Sequence, residues 1–168
     1  MNVLHIGYSA SFGGAARAMQ RIHVAIQSHG VYSEILANIP DPKLDASSFN
    51  LIHYYQIRAK FRNSINKALN LLHTSPSKIL NSHALLTSKY VKEINNSDAD
   101  IVHLHWINGE TLSIKDITRI EKPIVWTLHD MWLICGSEHV TQEARWKSGY
   151  QDPIKKTKIG FDLERWTW

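Results

Sequence analysis

An α/β fold built on a mostly parallel sheet is what this sequence predicts, on three observations. Residues 2–39 read strand, glycine turn, helix, strand. Two later runs, around Ile101-Val-His-Leu-His105 and Pro123-Ile-Val-Trp-Thr-Leu-His-Asp-Met-Trp132, are short and rich in β-branched residues, and each stops abruptly at polar or aromatic residues. Continuous apolar runs of that length are the mark of buried parallel strands. The 168 residues are 43% hydrophobic and 20% charged, enough for one domain with a core and too few for two ordinary ones.

The first strand is Asn2-Val-Leu-His-Ile-Gly7, followed by the loop Tyr8–Phe12 and the pair Gly13-Gly14. From Ala15 the apolar residues Ala18, Ile22, Ala25 and Ile26 keep helical spacing, and Gly30 is the expected stop. Val31 to Ile39 reads as the second strand, closed by Pro40-Asp-Pro42. The connection is a β-α-β unit, for which a right-handed crossover is expected. Strand, small-residue loop, Gly-Gly and helix is also the layout of a phosphate cradle, because glycine lets backbone N–H groups approach an anion at a helix N-terminus. The spacing is not that of a dinucleotide fingerprint, and no acidic residue stands at the tip of the second strand. A tight turn that needs glycine for its dihedrals accounts for the same residues, and both readings stay open here.

Residues 43–97 are the least legible. Phe49 to Leu72 carries apolar residues at mixed helical spacing among Arg58, Lys60, Arg62 and Lys67, which predicts one or two amphipathic helices with a basic face. Thr74-Ser-Pro-Ser77 breaks the pattern, and a helix is expected again over Leu85 to Ile94. Such an insertion either covers the core or presents a surface to an acceptor or a membrane. Asp98-Ala-Asp100 leads into the third strand, Ile101–His105, and Trp106–Gly109 forms a loop. A short helix is expected over Leu112–Ile120, with Ser113 as its N-cap and Asp116 three positions on. Pro123 opens the fourth strand, which should be buried and should deliver His129 and Asp130 to its C-terminal end. Beyond Trp132 the chain is loop-like until Phe161–Trp168, which reads as the first turns of a helix.

Net charge is +4 with neutral histidines, and the basic residues are dispersed apart from Arg58-Lys60-Arg62 and Lys155-Lys156-Lys158. Peripheral contact with an anionic inner membrane is an alternative to plain solvated surface for these, and no nucleic-acid partner is expected. The lone Cys135 excludes an internal disulfide. The N-terminus shows no signal peptide and no apolar run reaches the length of a membrane span, so a cytoplasmic protein is expected.

His103, His105, His129 and Asp130 invite a metal reading, but their spacing matches no specific zinc pattern. His103 is expected beneath His105 in the sheet, buried and satisfied by hydrogen bonds. His129 stands at the sheet edge where ligands bind, able to donate to a substrate hydroxyl or to offset developing charge. A histidine that merely caps its strand is the plainer account.

The runs Asn2-Val-Leu-His-Ile with Gly13-Gly-Ala-Ala-Arg-Ala18, Asp100-Ile-Val-His-Leu-His-Trp-Ile-Asn-Gly109 with Leu112-Ser-Ile, and Lys122-Pro-Ile-Val-Trp-Thr-Leu-His-Asp-Met-Trp132 resemble the family 4 glycosyltransferases of the GT-B fold. The subgroup most similar is that of bacterial colanic acid and O-antigen polysaccharide biosynthesis. Asp162-Leu-Glu-Arg-Trp-Thr-Trp168 also looks like a segment of those enzymes, so the resemblance spans nearly the whole chain and is weakest over 43–97.

The resemblance implies a Rossmann-like three-layer domain over residues 1–168, equivalent to the N-terminal, acceptor-side half of a GT-B fold, with the C-terminal donor domain absent. It implies transfer of a sugar, with retention, from a nucleotide-sugar to a saccharide or lipid-linked acceptor. No cofactor and no metal are implied, the nucleotide-sugar being a co-substrate. His129 matches the family histidine that faces the transferred sugar, and Gly13 and Gly14 would lie under the donor diphosphate. Asp130 would support its loop or contact the acceptor, with Arg17, His105, Trp106 and Asn108 as further substrate-side residues. Relatives commonly follow the His-Asp-Met-Trp run with a glycine pair and several cysteines. Here the run is Leu133-Ile-Cys-Gly-Ser-Glu-His139, so a cysteine-held loop is not expected. The chain alone is expected to be inactive, needing the donor domain or a separately encoded partner. The rival expectations are a free-standing acceptor-binding or partner domain, and a metal-dependent hydrolase using His105 and His129.

Overall fold

Four parallel strands form the sheet, in the order β2-β1-β3-β4. They are β1 (Asn2–Ser9), β2 (Tyr32–Ile39), β3 (Ile101–Leu104) and β4 (Ile124–Trp126). The structure is a computed structural model, and it describes residues 1–41, 61–62, 64–73, 81–141, 144–151 and 161–167. The fold is α/β and Rossmann-like, with helices layered against the parallel sheet.

The alternation of side chains along each strand gives the sheet two different faces. On one face Leu4 and Ile6 of β1 lie beside Val102 and Leu104 of β3, their register partners. This face is apolar and carries the main core, closed by Tyr90 and Ile94 of α2 (Tyr90–Asn96), Ile107, Leu112 and Trp132. On the other face α1 (Gly14–Ser28) packs on β1 and β2. Met19 is its main buried side chain, clustered with Ala10 and Ala37. It fits because Gly7 has no Cβ: one added there would stand 3.2 Å from Met19 Sδ. Of the apolar positions spaced along α1, Ala18, Ile22 and Ile26 are half-buried beside Met19. The fully buried residues of the helix are Ala16 and Met19, and Ala25 is exposed. Gly30, at φ +77°, ends the helix as expected.

Ser113 caps α3 (Ile114–Ile117) through a reciprocal capping box. Asp116 N–H donates to Ser113 Oγ at 3.1 Å, and Ser113 N–H donates to Asp116 Oδ2 at 2.9 Å. The same carboxylate oxygen receives Ser88 N–H at 2.7 Å.

Three expectations are corrected. The helix over Leu85–Ile94 forms only from Tyr90 to Asn96. The segment before it is held irregular, because Glu110 accepts Ala84 N–H at 3.0 Å and Leu86 N–H at 3.1 Å. β4 is parallel, but it is an edge strand rather than a buried one, with Val125 49% exposed. No described strand pairs with its outer side. Residues 61–62 and 64–72 are helical and Lys67 is exposed as expected, but Arg62 is not part of an open basic face: its guanidinium donates to the backbone carbonyls of Glu110, Thr87 and Leu86. Residues 49–60, the break at Thr74–Ser77 and the Lys155–Lys158 cluster lie outside the described residues. Glu164–Thr167 is helical, as expected for the final segment.

Candidate functional site

The β1–α1 turn is organised by Ser9, whose Oγ accepts the N–H of Ser11 at 3.1 Å and of Phe12 at 3.2 Å. The chain then passes through Gly13 at φ 93° and ψ 166°, a conformation that glycine adopts without strain. No side chain caps α1, and its first turn holds no acidic residue. The first intrahelical bond runs from Arg17 N–H to Gly13 O, so the N–H groups of Gly14, Ala15 and Ala16 are those that an α-helix leaves without an intrahelical acceptor. A Cβ on Gly13 or Gly14 would meet nothing within 4 Å. The helix start is thus open and partially positive.

That turn lies where the sheet order reverses. β1 is flanked by β2 on one side and β3 on the other, so the carboxyl ends of β1 and β3 form a topological switch point, the usual ligand crevice of open α/β sheets. A cleft of about 420 Å³ occupies this place. Gly7, Ser9, Gly13, Gly14 and Met19 line one side, while His105, Trp106, His129 and Asp130 line the other. Tyr8 and Phe12 add aromatic surface, and the Tyr8 ring meets Trp106 edge to face at 5.4 Å.

His129 sits at the end of a row of imidazoles. Its Nε2 is 3.2 Å from His105 Nδ1, with the two rings stacked at 5.5 Å. His105 Nε2 is in turn 3.1 Å from His5 Nδ1. His103 packs tilted against His105 with ring centroids 4.2 Å apart, and its Nε2 is 2.8 Å from Thr127 Oγ1. Burial, reinforced by the neighbouring imidazoles, holds the pKa of His5 and of His105 down to about 3. Burial also lowers His103 and His129, though Asp130 partly opposes the shift at His129. The row is therefore neutral near pH 7. Each shared proton fixes a tautomer, so the bond from His105 determines which nitrogen of His129 carries hydrogen.

Asp130 has a different task. Burial pushes its carboxyl up, but hydrogen bonds from His139, Trp132 N–H and Trp106, together with the charge of His139, bring it below the ordinary carboxylate value. Trp106 Nε1 donates to Oδ2 at 2.8 Å, His139 Nδ1 meets the same oxygen at 2.5 Å, and Trp132 N–H donates to Oδ1 at 3.0 Å. His139 Nε2 reaches Ser82 Oγ at 2.9 Å. Asp130 thereby ties together the β3 loop, the β4 loop and the segment around Ser82.

Of the residues singled out in the sequence, Gly13, Gly14, His105, Trp106, His129 and Asp130 meet in this cleft. Arg17 is exposed on α1 and is not among the lining residues. Asn108 is turned inward, 3% exposed, with its Nδ2 buried and without a hydrogen-bond partner. His103 is buried beneath His105 and bonded, as expected. Ser9, His5 and His139 were not anticipated. Polar His5 at an inward position of an apolar strand was a signal in the sequence; His139, in a loop with no periodicity, gave none. His5, His103 and His105 are the described residues grouped so that they could hold a metal ion.

Comparison with protein-family models, curated proteins and solved structures returns no match. Among the described residues, no helix is long and apolar enough to cross a membrane.

Proposed function

We propose that this chain is the acceptor-side half of a retaining GT-B glycosyltransferase, which moves a sugar from a nucleotide-sugar to a saccharide or lipid-linked acceptor in polysaccharide biosynthesis. The observation that carries the reading is the meeting of the open α1 N-terminus at Gly13-Gly14 with His129 in one cleft at the switch point. A diphosphate placed on the helix start accepts hydrogen bonds from N–H groups that have no intrahelical acceptor, and the helix dipole favours its charge. The sugar then lies toward His129. The neutral imidazole, its tautomer set by His105, orients a sugar hydroxyl and stabilises charge that develops as the glycosidic bond to phosphate breaks. Trp106 and Tyr8 offer flat apolar surface to a sugar ring. Asp130 holds the wall and does not react. The nucleotide's base and ribose are held by a donor-binding unit, joined to this one or separately encoded.

A second reading is a partner or acceptor-binding domain without catalysis. It is favoured by the exposure of Val125, Leu128, Leu133 and Ile134 around β4 and the cleft rim, a surface suited to docking.

The test is a transfer assay with labelled nucleotide-sugars and lipid-linked saccharides, run on the chain alone and together with its donor-binding unit. Transfer is expected only with both, and His129→Ala should lower it by about 10²-fold or more. Turnover by the chain alone, or turnover untouched by His129→Ala, overturns the reading.

A further inference from the structure

Beneath the cleft lies a group of three imidazoles, of which the proposed transfer uses only His105. His5 on β1 and His103 on β3 are register partners, and His105 follows two residues later, just past the end of β3, so all three lie on one side of the sheet. One nitrogen from each ring lies within 4.8 Å of one nitrogen from each of the other two. His5 Nδ1 and His105 Nε2 are 3.1 Å apart. A tetrahedral ion with bonds of about 2.0–2.1 Å separates two nitrogens by roughly 3.3 Å. That pair already stands at ligating distance, and ring rotation is enough to bring in the third.

The surroundings match a ligand set. His105 Nδ1 bonds to His129 and His103 Nε2 to Thr127, and ligating imidazoles use their second nitrogen in this way. Hydrogen bonding within the cluster is also incomplete, since His5 Nε2 is buried with no partner. His105 lines the cleft, which gives an aqueous ion its route to the cluster. No carboxylate or thiol belongs to the group. A nitrogen-only set suits zinc and its neighbours in the first transition row and does not suit magnesium or calcium.

We propose that His5, His103 and His105 bind one divalent transition-metal ion of the zinc class beneath the cleft, with the fourth position left to water. The proposal stands apart from the transfer reading and holds whether or not that reading does.

The experiment uses the whole chain, stripped with chelator, and measures zinc binding by titration calorimetry and cobalt(II) binding by visible absorption. One ion per chain and the intense absorption of tetrahedral cobalt are expected. His5→Gln, His103→Gln and His105→Gln should each weaken binding by more than the roughly 10–100-fold that loss of an outer partner costs. His29→Ala, at an exposed position, should leave it unchanged. His103, at the edge of the cluster, is the variant least liable to unfold, and circular dichroism checks each fold. Zinc should also raise the thermal midpoint of the wild-type chain and not that of His103→Gln. Absence of stoichiometric binding, an octahedral cobalt spectrum, or binding that survives the three substitutions overturns the proposal.

Discussion

His105 Nδ1 stands 3.2 Å from His129 Nε2, so the imidazole that faces the cleft is set by one that is almost wholly buried. His105→Phe keeps a flat ring but removes the bond. With the donor-binding unit present, it should lower transfer by about 10-fold or more and alter the pH profile, because His129 loses its fixed tautomer. Steady-state rates between pH 5.5 and 8.5 check this. A changed KM with an unchanged profile would indicate packing alone.

The two glycines of the turn should separate cleanly. Gly13 holds φ 93°, so Gly13→Ala strains the backbone by about 1–3 kcal/mol although its methyl would meet nothing. Gly14 has no such dihedral and the same open space, so Gly14→Ala should leave stability within about 0.5 kcal/mol. Urea unfolding of both variants measures the contrast.

Acid should unfold the metal-free chain early. His5 and His105 are held near pKa 3 and His83 near 4, in each case chiefly by burial, while unfolded histidine titrates near 6.5. The unfolded chain therefore binds more protons below pH 6.5, and the stability present above that value is lost as pH falls toward 4 and 3. The loss is of the order of 1 kcal/mol per group for each pH unit. Denaturant unfolding at pH 7, 6 and 5 in chelator shows it, and His5→Gln should flatten the slope by about one proton.

Asp130 should prove to be a structural residue. Asp130→Asn weakens its bonds to His139 and Trp106, and should cost about 1–3 kcal/mol. Asp130→Ala also loses the bond from Trp132 N–H and should cost more. Thermal unfolding gives the order. A larger effect on transfer than on stability in Asp130→Asn would assign it a direct part in the reaction.

The sheet was legible because β1, β2 and β3 are short apolar runs bounded by glycine, proline or acidic residues, signals that act locally. The cap at Ser113 was legible for the same reason. The burial of Met19 was not, since it depends on the missing Cβ of Gly7 on the neighbouring strand. Nor was the exposure of Val125, which depends on what lies beyond β4. In the site, the glycines and His129 stood out as strand-end residues. Asn108 misled, because it lies between the core residues Ile107 and Leu112 in a loop closed on its own carbonyl by Thr111. His139 joins Asp130 only through the folded path of the loop after Trp132.

The most direct test of the account is a nucleotide-sugar titration of the ¹⁵N-labelled chain followed by amide and imidazole NMR. The account predicts that the amides of Gly13, Gly14 and Ala15 and the ring signals of His129 shift together and saturate, and that Gly13→Val abolishes the response. Shifts confined to other parts of the chain, with those of the α1 start and His129 unmoved, would contradict it.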